Sequence, residues 1–115
     1  MRWLACAFLV GHGWVHGVMW ALPYSEEARA DLPMDPAHSW LLGDARAVGF
    51  DLALLSAAGF VVTAIAFIAG AVWWPAAALI SAGLSALLLV VFFSPWWLIG
   101  LALDGAVVIA AWRAR

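Results

Sequence analysis

The chain has 115 residues, 68% of them hydrophobic and only 10% charged, with a formal net charge of −2 and a mean hydropathy of +1.04. That leaves too little polar material to cover a water-soluble core, so the expected solvent for most of the surface is lipid. A basic nucleic-acid surface is excluded by the same count, and a single cysteine, Cys6, excludes an intramolecular disulfide, a cysteine-based zinc site or an iron–sulfur cluster within one chain.

The first predicted span runs from about residue 3 to 22, where Pro23 stops it. Arg2 followed by an apolar run has the shape of a signal peptide. The run continues through Trp14, Trp20 and Leu22, however, and no small-x-small site closes it, so an uncleaved span is expected. Residues 23–44 form the one substantial polar segment, with Glu26, Glu27, Arg29, Asp31, Asp35 and Asp44. Ser25 is placed to cap a short helix with Glu26 and Glu27 in its first turn. Asp35-Pro36 starts a second one that Gly43 would stop, carrying Trp40, Leu41 and Leu42 along the membrane surface. The second span is expected over about 45–69, the third over about 75–93, and the fourth over about 96–112 after the turn Ser94-Pro95.

These elements predict an all-α fold: one transmembrane domain over 1–115, a four-helix bundle in up-down-up-down order, with an outer loop carrying short helices. The short connections make neighbours antiparallel. Arg2, Arg113 and Arg115 flank the termini without acidic neighbours, whereas the loop sets Arg29 and Arg46 against five acids. Positive charge stays inside, so the sequence places both termini in the cytoplasm of a plasma or inner-membrane protein. Tryptophans agree: Trp3, Trp73, Trp74 and Trp112 fall at one interface, Trp20, Trp40, Trp96 and Trp97 at the other, and Trp14 alone mid-span. Gly13 and Gly17, and Ser81 and Ser85, are small-residue pairs that allow close helix approach.

Ionisable groups inside a bilayer are costly, and four fall within the spans: His12, His16, Asp51 and Asp104. His12 and His16 are four residues apart, about 40° around one helix, with Met19 on the same stripe. At about 1.5 Å per residue, His16 lies roughly 9 Å deep, His12 roughly 15 Å, Asp104 roughly 12 Å and Asp51 roughly 6 Å from the outer ends of their spans. Asp104 is flanked by Gly100 and Gly105, where a partner helix can come close, and Asp51 is shallow enough to reach water or Arg46.

Two readings compete for this cluster. In one, His12, His16, Asp104 and Asp51 hold a divalent metal: zinc, which imidazole and carboxylate suit, or copper if Met19 joins. In the other, the histidines and aspartates pair to satisfy buried polarity and hold helix register. A proton relay or a catalytic role is the third use of such groups. His38, in the loop, is expected in solvent, or else as a further ligand over the mouth of the site. Haem held between two histidines is excluded, because two histidines on one helix at this spacing cannot take opposite axial positions and no other span has one. No phosphate loop or nucleotide motif is present, and Ser81 and Ser85 lack a base nearby in the sequence, so the sequence shows no catalytic machinery. The partners it implies are the lipid bilayer and, for an accessory subunit or an oligomeric transporter, a larger membrane complex or further copies of this chain.

The runs LVGHGWVHG (9–17) and PWWLIGLALDGAVVIAAW (95–112) resemble those of a loose group of small bacterial membrane proteins with an H-G-x-x-H element in the first of four spans and a Trp-rich start to the last. The resemblance covers the general layout and is specific in those two stretches. It implies the four-span topology, draws attention to His12 and His16, and implies no activity.

Overall fold

The computed structural model describes residues 1–21, 25, 27 and 34–115. The expected stop at Pro23 and the short helix at Ser25 to Glu27 lie outside the described segments or on isolated residues of them. Four helices dominate the described residues: α1 (Arg2–Ala21), α2 (Arg46–Ile68), α3 (Trp74–Val91) and α4 (Trp97–Arg113). Each falls within two residues of the span expected from hydropathy. Three of them, α1 to α3, are long and apolar enough to cross a membrane. The fourth, at 17 residues, is slightly shorter.

Helix ends follow local chemistry. Pro75 sits in the first turn of α3, where a missing N–H costs nothing. At the end of α2, Gly70 takes φ +69. Its N–H bonds Phe67 O at 3.2 Å, and the Ala71 N–H bonds Ala66 O at 2.9 Å. That double closure satisfies the last carbonyls and needs the left-handed residue that glycine supplies.

One expected helix is replaced. Residues 36–43 do not form a surface helix; His38–Ser39 (β1) pairs antiparallel with Gly43–Asp44 (β2), in register His38 with Asp44 and Ser39 with Gly43. The Asp35 carboxylate accepts the Ala37 N–H at 2.9 Å, an Asx turn that competes with helix initiation. Gly43, at φ +74, closes the tight turn. The buried Ser39 hydroxyl accepts from Leu41 and Leu42 N–H and donates to Val91 O, while Trp40 Nε1 donates to Val90 O at 2.7 Å. Two carbonyls at the α3 C-terminus, which a helix leaves unpaired, thus fix the loop in its non-helical form.

Packing runs in sequence order: α1 on α2, α2 on α3, α3 on α4. The α1–α2 contact is tight because Gly13 has no side chain. A Cβ there would lie 2.9 Å from the Phe60 Cβ and 3.2 Å from the Ala57 backbone. At Gly59 on the α2–α3 contact, a Cβ would meet the Ser81 hydroxyl at 2.6 Å. Two apolar clusters result. One joins Trp20, Ala53, Leu88, Leu89 and Phe92; the other joins Leu9, Phe60, Ala64, Ala78, Ala82 and Val107. Trp20, in the last turn of α1, is 2% exposed and packs on Trp97 and Phe92.

Candidate functional site

Between the two apolar clusters each helix contributes polar residues. On α1 they are His12 and His16, between Leu9 and Trp20. On α2 Ser56 lies between Ala53 and Phe60; on α3 Ser85 lies between Ala82 and Leu88; on α4 Asp104 precedes Val107. All of these polar side chains are buried. Three helical hydroxyls in the core return to their own backbone. Ser56 donates to Leu52 O at 2.7 Å, Thr63 to Gly59 O at 2.8 Å and Ser81 to Ala77 O at 2.8 Å.

Ser85 behaves differently. Its hydroxyl donates to Asp104 Oδ2 at 2.7 Å and lies 2.8 Å from His16 Nε2. The other carboxylate oxygen, Oδ1, is 2.8 Å from His12 Nε2. A hydroxyl has one proton, and Asp104 receives it, so the Ser85 oxygen accepts from His16 Nε2–H. With a proton on His12 Nε2, Asp104 Oδ1 accepts it as a hydrogen bond in the same way. The result is one unbroken row, His16–Ser85–Asp104–His12, joining α1, α3 and α4.

Phe60 completes the setting from α2. Its ring meets His12 edge-on, with centroids 4.9 Å apart, and stacks on His16 at 6.5 Å. The two imidazoles are themselves edge-to-face at 5.0 Å. Packing of this kind holds each ring in the orientation its hydrogen bond needs. Two sealed polar atoms have no partner among the described residues, His16 Nδ1 and Trp20 Nε1. His12 Nδ1 also makes no hydrogen bond there, but His12 lines a groove.

That groove runs along the seam between α1 and α4, helices that are not closely packed on each other. Its volume is about 240 Å³ and its walls include His12, Val15, His16, Trp97, Ile99 and Leu103. The His12–Asp104 hydrogen bond crosses the seam.

The structure brings together three of the four expected site residues. His12, His16 and Asp104 meet; Asp51 is exposed on α2 and makes no hydrogen bond or ion pair among the described residues. Helix phase decides this, since Gly49 and Ala53 on α2 face the core and Asp51 falls between them. His38 is exposed in β1 and does not cover the site. Ser85 was legible only as a packing residue. Its depth was the available signal: eight residues before Phe93, roughly 12 Å in, level with Asp104. Cys6 is half-buried, its thiol 3.5 Å from Ala64 O.

The shared histidine face exists, but the two Nε2 atoms are directed to different partners, Asp104 and Ser85. Among the described residues no group of three or more His, Cys, Asp or Glu side chains is disposed to hold a metal ion. What the arrangement offers is a continuous path for a proton between two imidazoles through a carboxylate and a hydroxyl. No family model, curated protein or solved structure matches the chain.

Proposed function

We propose that this chain is a multi-pass protein of the plasma or inner membrane, with four antiparallel spans and cytoplasmic termini, whose His16–Ser85–Asp104–His12 row holds and passes a proton within the bilayer. Support for the membrane setting is physical. The molecule is 44 Å long and 22 by 21 Å across, close to the roughly 40–45 Å of a bilayer with its headgroups. Leu54, Leu55, Val62, Ile65, Ile80, Leu87 and Ile109 are each between 44% and 65% exposed along the helices. An apolar surface that extensive belongs against lipid. At 17 residues α4 spans about 26 Å, and Trp96 and Trp112, both largely exposed, extend it towards the headgroups.

The observation that carries the proton reading is the unbroken row itself, with every link at 2.7–2.8 Å. The row joins one carboxyl and two imidazoles, groups that each can take up or release a proton. A proton taken up at His12 Nδ1 is matched by transfer of the Nε2 proton to Asp104. Once His16 carries its proton on Nδ1, its Nε2 is free to accept; the Ser85 hydroxyl then turns from Asp104 to His16 while the protonated carboxyl donates to the Ser85 oxygen, which links Asp104 to His16. Catalysis is not part of this reading: the Ser85 hydroxyl is buried and engaged on both sides, by Asp104 and by His16.

A second reading has its own observation. His12–Asp104 ties α1 to α4 across a seam with little other packing, so the row also serves as a lock in a structural or accessory subunit. One experiment separates them. Infrared titration of the purified protein in lipid, wild type beside Asp104→Asn, follows the protonated-carboxyl stretch. A titrating band that disappears in the variant supports the proton site. A wild-type carboxyl that never changes state over the accessible pH range leaves the lock.

A further inference from the structure

The groove between α1 and α4 has features that a packing defect lacks. Val15, Trp96 and Ile99 on its rim are 50%, 64% and 67% exposed, so it opens sideways, towards lipid in the membrane setting. Its floor is the edge of the polar row, with His12 and His16 both lining it. His12 commits Nε2–H to Asp104. In the neutral imidazole the other nitrogen is then an acceptor, and Nδ1 has no partner among the described residues. An apolar, laterally open groove therefore has a ring with a hydrogen-bond acceptor among its lining residues. A second groove, about 210 Å³ and lined from all four helices, holds no imidazole or carboxylate among its described lining residues; the Thr63 hydroxyl there already pairs with Gly59 O and Ser81 Oγ.

Size narrows the occupant. An apolar cavity of roughly 150 Å³ takes up benzene, and sites for drug-sized molecules begin near roughly 300 Å³. At about 240 Å³ the groove matches one substituted ring. Trp96 and Trp97 at its wall offer flat aromatic faces to such a ring.

We infer that this groove binds a membrane-soluble amphiphile with a single hydroxylated aromatic ring. The ring enters sideways between α1 and α4, its hydroxyl donates to His12 Nδ1, and its alkyl tail stays in lipid. The inference rests on the membrane setting proposed above; it needs no proton movement, only a neutral His12 with its proton on Nε2 towards Asp104.

The test uses the full chain in lipid nanodiscs and three probes that differ in one group: para-octylphenol, its methyl ether and octylbenzene. Saturable quenching of tryptophan fluorescence reads binding. The phenol is expected to bind about three- to tenfold more tightly than the ether or the hydrocarbon, the range of one net hydrogen bond. Val15→Trp and Ile99→Trp, each enlarging an exposed wall residue, are expected to abolish saturable binding while the thermal melt stays that of the wild type. Equal binding of phenol and ether to the wild type overturns the proposal, as does full binding in both folded variants. The carboxyl titration of the wild type without probe reads the proton site separately, so either conclusion can fail alone.

Discussion

Removing the Asp104 carboxylate while keeping or deleting its hydrogen-bonding capacity is the sharpest perturbation available. Asp104→Ala leaves His12 Nε2–H and the Ser85 hydroxyl, both buried, without an acceptor. An orphaned buried donor costs about 1–3 kcal/mol in a protein interior, while interhelical hydrogen bonds in a bilayer average about 0.6 kcal/mol. Two such bonds, one to α1 and one to α3, place the loss between about 1 and 6 kcal/mol. Asp104→Asn is different. The amide oxygen accepts from His12, and the amide N–H donates to Ser85. The Ser85 proton then turns to His16 Nε2, which becomes the acceptor as His16 takes its other tautomer. Every link is kept with the polarity of half the row reversed, so the expected cost is under about 1 kcal/mol. Unfolding in mixed micelles, followed by helical circular dichroism, measures both. Equal destabilisation by Asn and Ala would refute the argument, because it would mean that the charge or the shape of Asp104, and not its two hydrogen bonds, holds α4 in place.

Further expectations follow from other positions. Gly13→Ala places a methyl 2.9 Å from the Phe60 Cβ and against Ala57 backbone, which predicts a loss of about 1–3 kcal/mol. Gly17→Ala meets nothing closer than 3.9 Å and should be neutral or gain up to about 1 kcal/mol in the same melt. Asp51→Asn is expected to leave both stability and the carboxyl titration unchanged, since Asp51 is exposed and unpaired among the described residues; a shifted titration would place it in the site. Elemental analysis of the purified protein, beside His12→Ala/His16→Ala, should find no stoichiometric zinc or copper. Near-stoichiometric metal lost in the double variant would replace the proton reading with a metal site.

Helix positions were readable because hydropathy acts locally. An apolar run long enough to span, ended by Pro23, Gly70 or Ser94-Pro95, leaves little choice of element, and α1 to α4 fall where it places them. The loop was misread for an equally physical reason. Asp35-Pro36 and Gly43 are legitimate helix signals, but the Ser39 hydroxyl and the Trp40 indole find the open carbonyls of Val90 and Val91, some fifty residues away in sequence. No local pattern reports a bond of that separation.

The candidate site divides along the same line. Spacing alone put His12 and His16 on one face, and depth counting put Asp104 at their level; both follow from helix geometry, which the sequence carries by itself. Rotational phase about each axis is a different matter. It turned Asp51 outward between Gly49 and Ala53 and brought Ser85 inward, and it was decided by how Gly13 lets α2 approach α1 and how Gly59 lets α3 approach α2. In a helix that is apolar nearly all round, no moment marks which side faces the neighbour. The sequence by itself therefore determined the four helices, their lengths and the level of each polar group along its helix; only the packed tertiary structure decided the form of the loop and which of those groups meet, because contact between helices depends on shape at small residues and on the pairing that buried polar atoms require.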